Sequence, residues 1–412
     1  MGRHEVIIVG GGIGGLVLAL SLHEQGIPSR VFEASSELRA VGAGINLLPH
    51  AVAQLAKLGI AAQLEKRAVT TMESVFYNRF GQLIYAEPAG RAAGYPFPQL
   101  SIHRADLQDI LATAVRERLG SDRLHLGHRL VGLRQDASLV IADFEPAQSG
   151  DTLSIAGPVL AACDGIHSAA RQQFYPEDPG PRYSGVNMWR GVTTWPSFLS
   201  GASMVRAGWL KTGKMVIYPI RNEVDASGRQ LVNWVAEIET PRHRMWDWNR
   251  TGVLDDFIWA FEDWKFDWLD VPAMIRSTPE IFEFPMVDKD PLPRWSFERA
   301  TLLGDAAHPM YPRGSNGAVQ AILDARCLAQ CLSEFGCEPE ALSRYEDLRR
   351  PPTTEIVLAN RVRPPDLILQ KVFERTGDRP FTSIDSVISR EELAAISASY
   401  KSLSGFPKTS RS

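Results

Sequence analysis

The chain has 412 residues, 44% of them hydrophobic and 22% charged, with a net charge of −4. These are globular values, enough to bury a large core without disulfide or metal staples, and they argue against a broad nucleic-acid or anionic-membrane footprint. The four cysteines (Cys163, Cys327, Cys331, Cys337) form no secretory disulfide framework. No run reaches the roughly 18 uninterrupted apolar residues of a membrane span, and no signal-peptide pattern opens the chain, so a reducing cytoplasm is the expected location.

Residues 6–9 form a continuous apolar run, as in a strand buried on both faces. Residues 10–15 contain five glycines and form a turn. Residues 16–25 have helical spacing and stop before Gly26 and Pro28, and residues 30–33 form a second strand, giving a βαβ unit with a parallel pair. A Gly-rich loop over 41–44 precedes a helix over 49–58. Residues 72–102 alternate and are predicted to be strands, 104–119 helix, 124–142 two strands. Residues 159–162 form a short buried strand that ends at Cys163-Asp164-Gly165, with a helix over 168–174. All ten tryptophans lie between Trp189 and Trp295. In this aromatic-rich lobe 214–220 and 230–238 are predicted strands, and 253–261 and 273–276 helices. Strand 300–303, a turn at Gly304-Asp305 and a helix over 317–332 follow. The remainder, with Pro351, Pro352, Pro364 and Pro365, is expected to form broken helices, and the polar tail after Ser404 to fray.

Gly10-x-Gly12-x-x-Gly15 sits between a buried strand and a helix. In such a turn the first glycine allows the tight bend, the second lets backbone approach a pyrophosphate, and the third lets helix and strand pack closely. The helix N-terminus offers free N–H groups and a positive dipole end to the phosphates. Glu33, at the end of the second strand, is placed to accept the hydroxyls of an adenosine ribose and would repel a 2′-phosphate. The motif does not separate NAD from FAD.

Two further strand ends carry an aspartate. Asp305 either caps a turn or holds a ribityl hydroxyl, with the following helix N-terminus facing a flavin's pyrimidine edge. Asp164, followed by Gly165, Ile166, His167 and Ser168, reads on its own as a helix cap. Arg104, opening a helix, is a phosphate ligand or a surface arginine. The histidines and cysteines show no metal-ligand spacing, and no G-x-S-x-G elbow supports a hydrolase.

These three motifs, in this order, resemble the signature set of the class A FAD-dependent aromatic monooxygenases, over about residues 4–365. Within that family the chain is most similar to its phenazine-modifying branch, which acts on 5-methylphenazine-1-carboxylate. That likeness is carried by Ser101-Ile102-His103-Arg104, Met188-Trp189-Arg190-Gly191-Val192-Thr193, Leu231-Val232-Asn233-Trp234-Val235, Asp247-Trp248-Asn249-Arg250, Pro285-Met286-Val287-Asp288 and residues 302–307. Ala161-Ala162-Cys163 departs from the usual Gly-Ala before Asp164. Arg313, in Arg313-Gly314-Ser315-Asn316-Gly317, adds a charge beside the flavin position.

The resemblance implies an α/β fold: a Rossmann-like FAD-binding domain (1–71, 103–180, 286–345), interrupted by substrate-domain strands (72–102) and a Trp-rich β-sheet substrate domain (181–285). C-terminal helices and a polar tail (346–412) complete it. It implies that Gly10, Gly12, Ile13, Gly14, Gly15, Glu33, Gly44, Arg104, Leu130, Asp164, Asp305 and Gly317 bind FAD, and that Pro312 and Gly314 lie at the catalytic position beside the flavin. The reaction it implies is reduction of FAD by NADH or NADPH, capture of O₂ as a flavin C4a-hydroperoxide, and transfer of one oxygen atom to an electron-rich ring. Trp189, Tyr218, Trp234 and Met286 are pocket-wall candidates, each also compatible with ordinary core, and Arg190 either pairs a substrate carboxylate or forms a structural ion pair. A small aromatic substrate and O₂ are the expected partners, with no nucleic acid and no membrane, in a monomer or homodimer. The rivals are another FAD oxidoreductase on this fold (a halogenase, epoxidase or ene-reductase) and a non-catalytic flavin-binding protein. Trp246-Asp247-Trp248 does not continue into the halogenase motif.

Overall fold

A computed structural model describes residues 5–38, 43–147, 150–241 and 250–403. Half of the 41–44 loop, nearly all of the 247–250 segment, the Trp246-Asp247-Trp248 run and the tail from 404 lie outside these residues.

The first strand, Val6–Val9, is at most 3% exposed at each residue, which explains its unbroken apolar sequence. It sits in the middle of a six-stranded sheet with the order Ser296–Phe297, Ala300–Leu302, Leu160–Ala162, Val6–Val9, Ser29–Phe32, Leu124–His125. All neighbours are parallel except the edge strand Ser296–Phe297. The helices Ile13–Glu24, Arg104–Leu119 and Gly317–Phe335 pack around this sheet and fill one large apolar core.

The glycine turn is fixed by two backbone approaches. Gly10 adopts φ +103°, and a Cβ there would lie 2.3 Å from the Cys163 carbonyl oxygen. A Cβ on Gly15 would lie 2.0 Å from the Gly10 carbonyl oxygen. The first residue therefore turns against the neighbouring strand, and the last lets the helix close onto the turn.

A second sheet of eight strands has the order Arg250–Thr251, Ile281–Asp288, Arg182–Trp195, Gln230–Glu239, Gly213–Arg221, Ser203–Trp209, Glu73–Tyr77, Leu83–Pro88. All its pairs are antiparallel but one, Ser203–Trp209 with Glu73–Tyr77. Two strands from early in the chain thus complete a sheet built otherwise from the Trp-rich region. The third strand of the 72–102 stretch, Gln99–His103, instead pairs Gly44–Leu47 and Val69–Thr71 in a small sheet between the two large ones.

Three expectations are corrected. Residues 124–142 yield not two strands but parts of three: Leu124–His125, which joins the large sheet, and His128–Gln135 and Val140–Pro146, which pair with Leu153–Gly157. Residues 253–261 form not one helix but two 3₁₀ turns, Leu254–Asp256 and Ile258–Ala260, which leave Phe257 and Phe261 fully buried in the aromatic core. The C-terminal prolines break the chain less than expected. Helix Pro339–Val362 runs straight through Pro351 and Pro352, and the Thr353 hydroxyl bonds back to the Arg349 and Arg350 carbonyls at 2.8 and 3.1 Å. The Pro364-Pro365 pair does end it.

Replacing Gly10 with Ala puts a Cβ into a forbidden approach at positive φ. We expect a loss of about 1–3 kcal/mol of stability, read by chemical denaturation; an unchanged midpoint would contradict this geometry.

Candidate active site

The two large sheets meet along a cavity of about 340 Å³. One wall is the end of the six-stranded sheet, where Gly12, Ile13, Gly14, Cys163, Gly165, Leu303, Gly304 and Asp305 converge. Gly44 and Arg104 close one side, the loop Pro312 to Gly317 another, and the floor is one face of the eight-stranded sheet.

Strand alternation selects the floor. Met188 and Arg190 point into the cavity from Arg182–Trp195, Met204 and Arg206 from Ser203–Trp209, Lys214, Val216 and Tyr218 from Gly213–Arg221, and Val235 and Glu237 from Gln230–Glu239. The pairings agree: Arg190 lies opposite Val235, Met188 opposite Glu237, and Lys214 opposite Glu237. Trp189 and Trp234 belong to the opposite face. Trp189 stacks on Phe257 at 5.0 Å, and the Trp234 indole N–H donates to Thr278 Oγ1 at 2.9 Å, within a dry cluster that includes Val205, Met215 and Ile217. Met286 is fully buried in a third cluster with Met188, Tyr311 and Ile368. These three pocket-wall candidates are therefore core residues. Tyr218 and Arg190 do line the cavity.

The floor is charged. Lys214 Nζ, 1% exposed, donates to Asp366 Oδ2 at 2.7 Å and to Glu237 Oε2 at 2.9 Å, and Arg206 Nε stands 3.5 Å from Asp366 Oδ1. Burial works to raise the Asp366 pKa, but Lys214, Arg206 and Arg313 outweigh it and hold the carboxyl below its usual range. These two cations and two carboxylates balance. Arg104, Arg190 and Arg313 also line the cavity, and among the described residues none of them forms an ion pair. Arg190 Nε and Arg313 Nε are buried without a hydrogen-bond partner among the described residues. Desolvation lowers the Arg190 pKa and pushes the neighbouring Tyr218 phenol up to about 12, so a neutral hydroxyl stands beside an unpaired guanidinium.

Asp305 is exposed where it opens onto the cavity. The protein around it still desolvates its carboxyl enough to raise the pKa against the pull of His308 and Arg104. The loop bearing it is held from behind: Asp324 accepts from His308 Nε2 at 2.5 Å, from the Gly304 N–H at 3.3 Å and from Arg349 Nε at 2.7 Å. Asp164 does not line the cavity. Its Oδ2 accepts from the Ala169 N–H at 2.9 Å at the start of helix Ala169–Phe174, whose N-cap is Ser168, while Oδ1 is buried with no hydrogen-bond partner among the described residues. Glu33 lies beside the glycine turn, its carboxylate accepting from the Gly11 and Ser35 N–H groups at 2.7 Å each. Gly10 and Gly15 act behind the cavity through the packing described above. Leu130, 6% exposed on His128–Gln135, packs in the core away from the cavity.

A dinucleotide suits this cleft on structural grounds. A Cβ on Gly12 would meet no atom within 4 Å, so the backbone there is open, and the following helix has no side-chain cap on its first N–H groups. Arg104 brings an unpaired cation and Asp305 a carboxyl to the same space. The charged floor (Arg206, Lys214, Glu237, Asp366) was missed in the sequence. Its signal was there: Lys214 and Glu237 interrupt otherwise apolar strands.

Comparison with known proteins places the chain. Residues 3–359 match the model of the family described as FAD binding domain. The chain is 42% identical over 410 residues (97% of each chain) to phenazine 1,6-dicarboxylic acid hydroxylase of Lysobacter antibioticus. It is 32% identical over 347 residues (84% of each) to aurachin C monooxygenase/isomerase of Stigmatella aurantiaca. The crystal structure of Klebsiella pneumoniae HpxO complexed with FAD and uric acid superposes with a TM-score of 0.73, at 23% identity, over 98% of this chain and 94% of that one, and supports the fold. The chain belongs to the class A flavin monooxygenases. More particularly, it is an FAD-dependent aromatic hydroxylase with NAD(P)H as electron donor. Among the described residues no helix is long and apolar enough to cross a membrane, and no group of three or more potential metal ligands occurs.

Two consequences are measurable. Gly12→Ala leaves the apoprotein's thermal midpoint unchanged, because the methyl enters open space, but weakens FAD binding by at least about tenfold, the equivalent of 1.4 kcal/mol, in a fluorescence-quenching titration. Met188→Ala raises KM for the aromatic substrate, whereas Trp189→Ala acts on stability, costing about 3–5 kcal/mol. The reverse pattern would contradict the assignment of the two sheet faces.

Proposed function

We propose that the substrate is a flat heteroaromatic carboxylate of the phenazine type, and that Arg190 receives its carboxylate. The observation that carries this reading is the unpaired guanidinium on the cavity floor, flanked by Tyr218 and by the apolar Met188, Met204, Val216 and Val235. A buried cation without a counter-ion is costly unless a ligand supplies one. Such a cation among apolar side chains suits a ring bearing one anionic group. The likeness to a phenazine dicarboxylate hydroxylase supports the same substrate class.

In this reading Gly10, Gly12, Ile13, Gly14 and Gly15 form the pyrophosphate turn, Arg104 neutralises phosphate charge, and Glu33 anchors the ribose end. Asp305 holds the ribityl chain, while Gly44, Pro312, Gly314 and Gly317 frame the flavin ring. Segments 1–71, 103–180 and 286–345 supply the cofactor side, and segments 72–102 and 181–285 the substrate side. FAD held here and reduced by NAD(P)H would supply the activation of O₂, one atom of which passes to the ring while the other leaves as water. The chain's own part is positional: the floor orients the ring through Arg190, and the loop 312–317 and the apolar floor residues exclude water. We place the enzyme in the cytoplasm.

The test is NAD(P)H oxidation by FAD-loaded protein with phenazine carboxylates, salicylate-type acids and their carboxamides, products being read by mass. We expect carboxylates to stimulate oxidation and to gain one oxygen. In Arg190→Gln we expect KM for the carboxylate to rise roughly 10- to 100-fold, as for the loss of a charge-assisted bond, with little change for the carboxamide. Equal losses for both would remove Arg190 from carboxylate recognition.

A further inference from the structure

We propose that Tyr400, in the C-terminal helix Arg390–Leu403, is a positioning residue for the reaction: its hydroxyl fixes the backbone of the 311–316 loop against which the flavin ring lies. The proposal rests on the flavin reading of this cavity.

The loop is strained. Gly314 has φ +72° and the next residue, Ser315, has φ +59° although it carries a Cβ. Consecutive left-handed residues persist only where the surroundings over-determine them. Here the determinant is a set of buried polar groups brought from three helices. Asn316 Nδ2 donates to the Tyr400 hydroxyl at 2.8 Å and to the Gly314 carbonyl at 3.2 Å. The single Tyr400 proton is shared between Asn360 Oδ1 at 2.7 Å and the Arg313 carbonyl at 3.1 Å. Asn360 Nδ2 donates in turn to the Tyr311 carbonyl at 3.3 Å, and Gln320 Nε2 to Asn316 Oδ1 at 3.3 Å. Asn316 is 1% exposed, Asn360 fully buried and Tyr400 7% exposed.

The Tyr400 hydroxyl therefore uses both its donor and its acceptor capacity. Its ring also lies against the loop: a Cβ on Gly314 would fall 2.0 Å from the hydroxyl oxygen. Burial pushes the phenol pKa up, so the proton stays available to Asn360 and Arg313. The loop so held presents Pro312, Arg313 and Gly314 to the cavity. Slack in it would admit water and move the ring from its place over the substrate, which in a flavin monooxygenase diverts electrons to H₂O₂.

The same helix offers a control. Ser397 Oγ donates to the Glu87 carboxylate at 2.7 and 2.9 Å, so it tethers the helix to strand Leu83–Pro88 without touching the loop. The test uses full-length holoenzyme as wild type, Tyr400→Phe and Ser397→Ala. It measures the FAD dissociation constant, the H₂O₂ released per NAD(P)H with the aromatic substrate, and the thermal midpoint.

We expect Tyr400→Phe to weaken FAD binding several-fold and to raise the H₂O₂ fraction at least threefold, while Ser397→Ala keeps wild-type values of both whatever its thermal midpoint. Wild-type coupling and FAD affinity in Tyr400→Phe would overturn the proposal, as would equal losses in Ser397→Ala, which would mean that helix docking alone matters. If the wild type shows no substrate-stimulated oxidation, the substrate reading fails separately. The FAD dissociation constant then decides: a several-fold rise in Tyr400→Phe alone supports the proposal, and an unchanged value overturns it.

Discussion

Side chains alternate across a β-strand, and in the eight-stranded sheet that constraint puts a dry aromatic core and a charged cavity one residue apart. Trp189 and Trp234 go down into the core with Phe257, while Met188, Arg190, Val235 and Glu237 come up into the cavity. The two faces depend on each other. The tryptophans and phenylalanines beneath give the sheet a rigid base, and a rigid base is what allows Lys214, Arg206, Glu237 and Asp366 to be held in a buried arrangement whose distances must be short to offset desolvation. A slip of one residue in any of these strands would put indoles against the cofactor and charges into the core.

The buried charge cluster also explains why the C-terminal third of the chain belongs to the site. Asp366 precedes helix Leu367–Thr376, more than 150 positions from Lys214 in sequence, yet it closes the floor. Removing any one member leaves an uncompensated buried charge, so the cluster locks the sheet to the helices that follow Pro364-Pro365. With its own charges balanced, this cluster of four carries no net charge. The unpaired Arg190 and Arg313 then define where an anion is favourable.

Much of the cofactor half was legible in the sequence because its determinants are local. The strand–glycine–helix–strand order, the helices opening at Arg104 and Gly317 and the buried strands at 6–9 and 300–302 follow from spacing, glycine and apolar runs. The substrate half was legible only in part. The strands over 213–221 and 230–239 were clear, but which face met the cavity was not, since Trp and Met suit either environment and alternation alone assigns no direction. Leu130 and Asp164 show a different limit. A residue belongs to a site only if the chain turns it toward the ligand, and here one packs in the core while the other accepts from the first N–H of helix Ala169–Phe174.

The helix carrying Pro351 and Pro352 shows why the rest escaped a local reading. Two adjacent prolines forfeit two intrahelical hydrogen bonds, and taken locally they argue for a break. The helix nevertheless continues, because its flanks are fixed by tertiary contacts: Arg349 pairs with Asp324 behind the Asp305 loop, and Asn360 reaches Tyr311 and Tyr400. Those anchors lie on either side of the prolines, 11 positions apart, and both act on cavity-forming loops. A continuous helix is what keeps the Asp305 turn and the 311–316 loop in a fixed relation. Tertiary demand for that rigid spacing overrides the local preference of the two prolines, and no window of the sequence shorter than the whole site contains the reason.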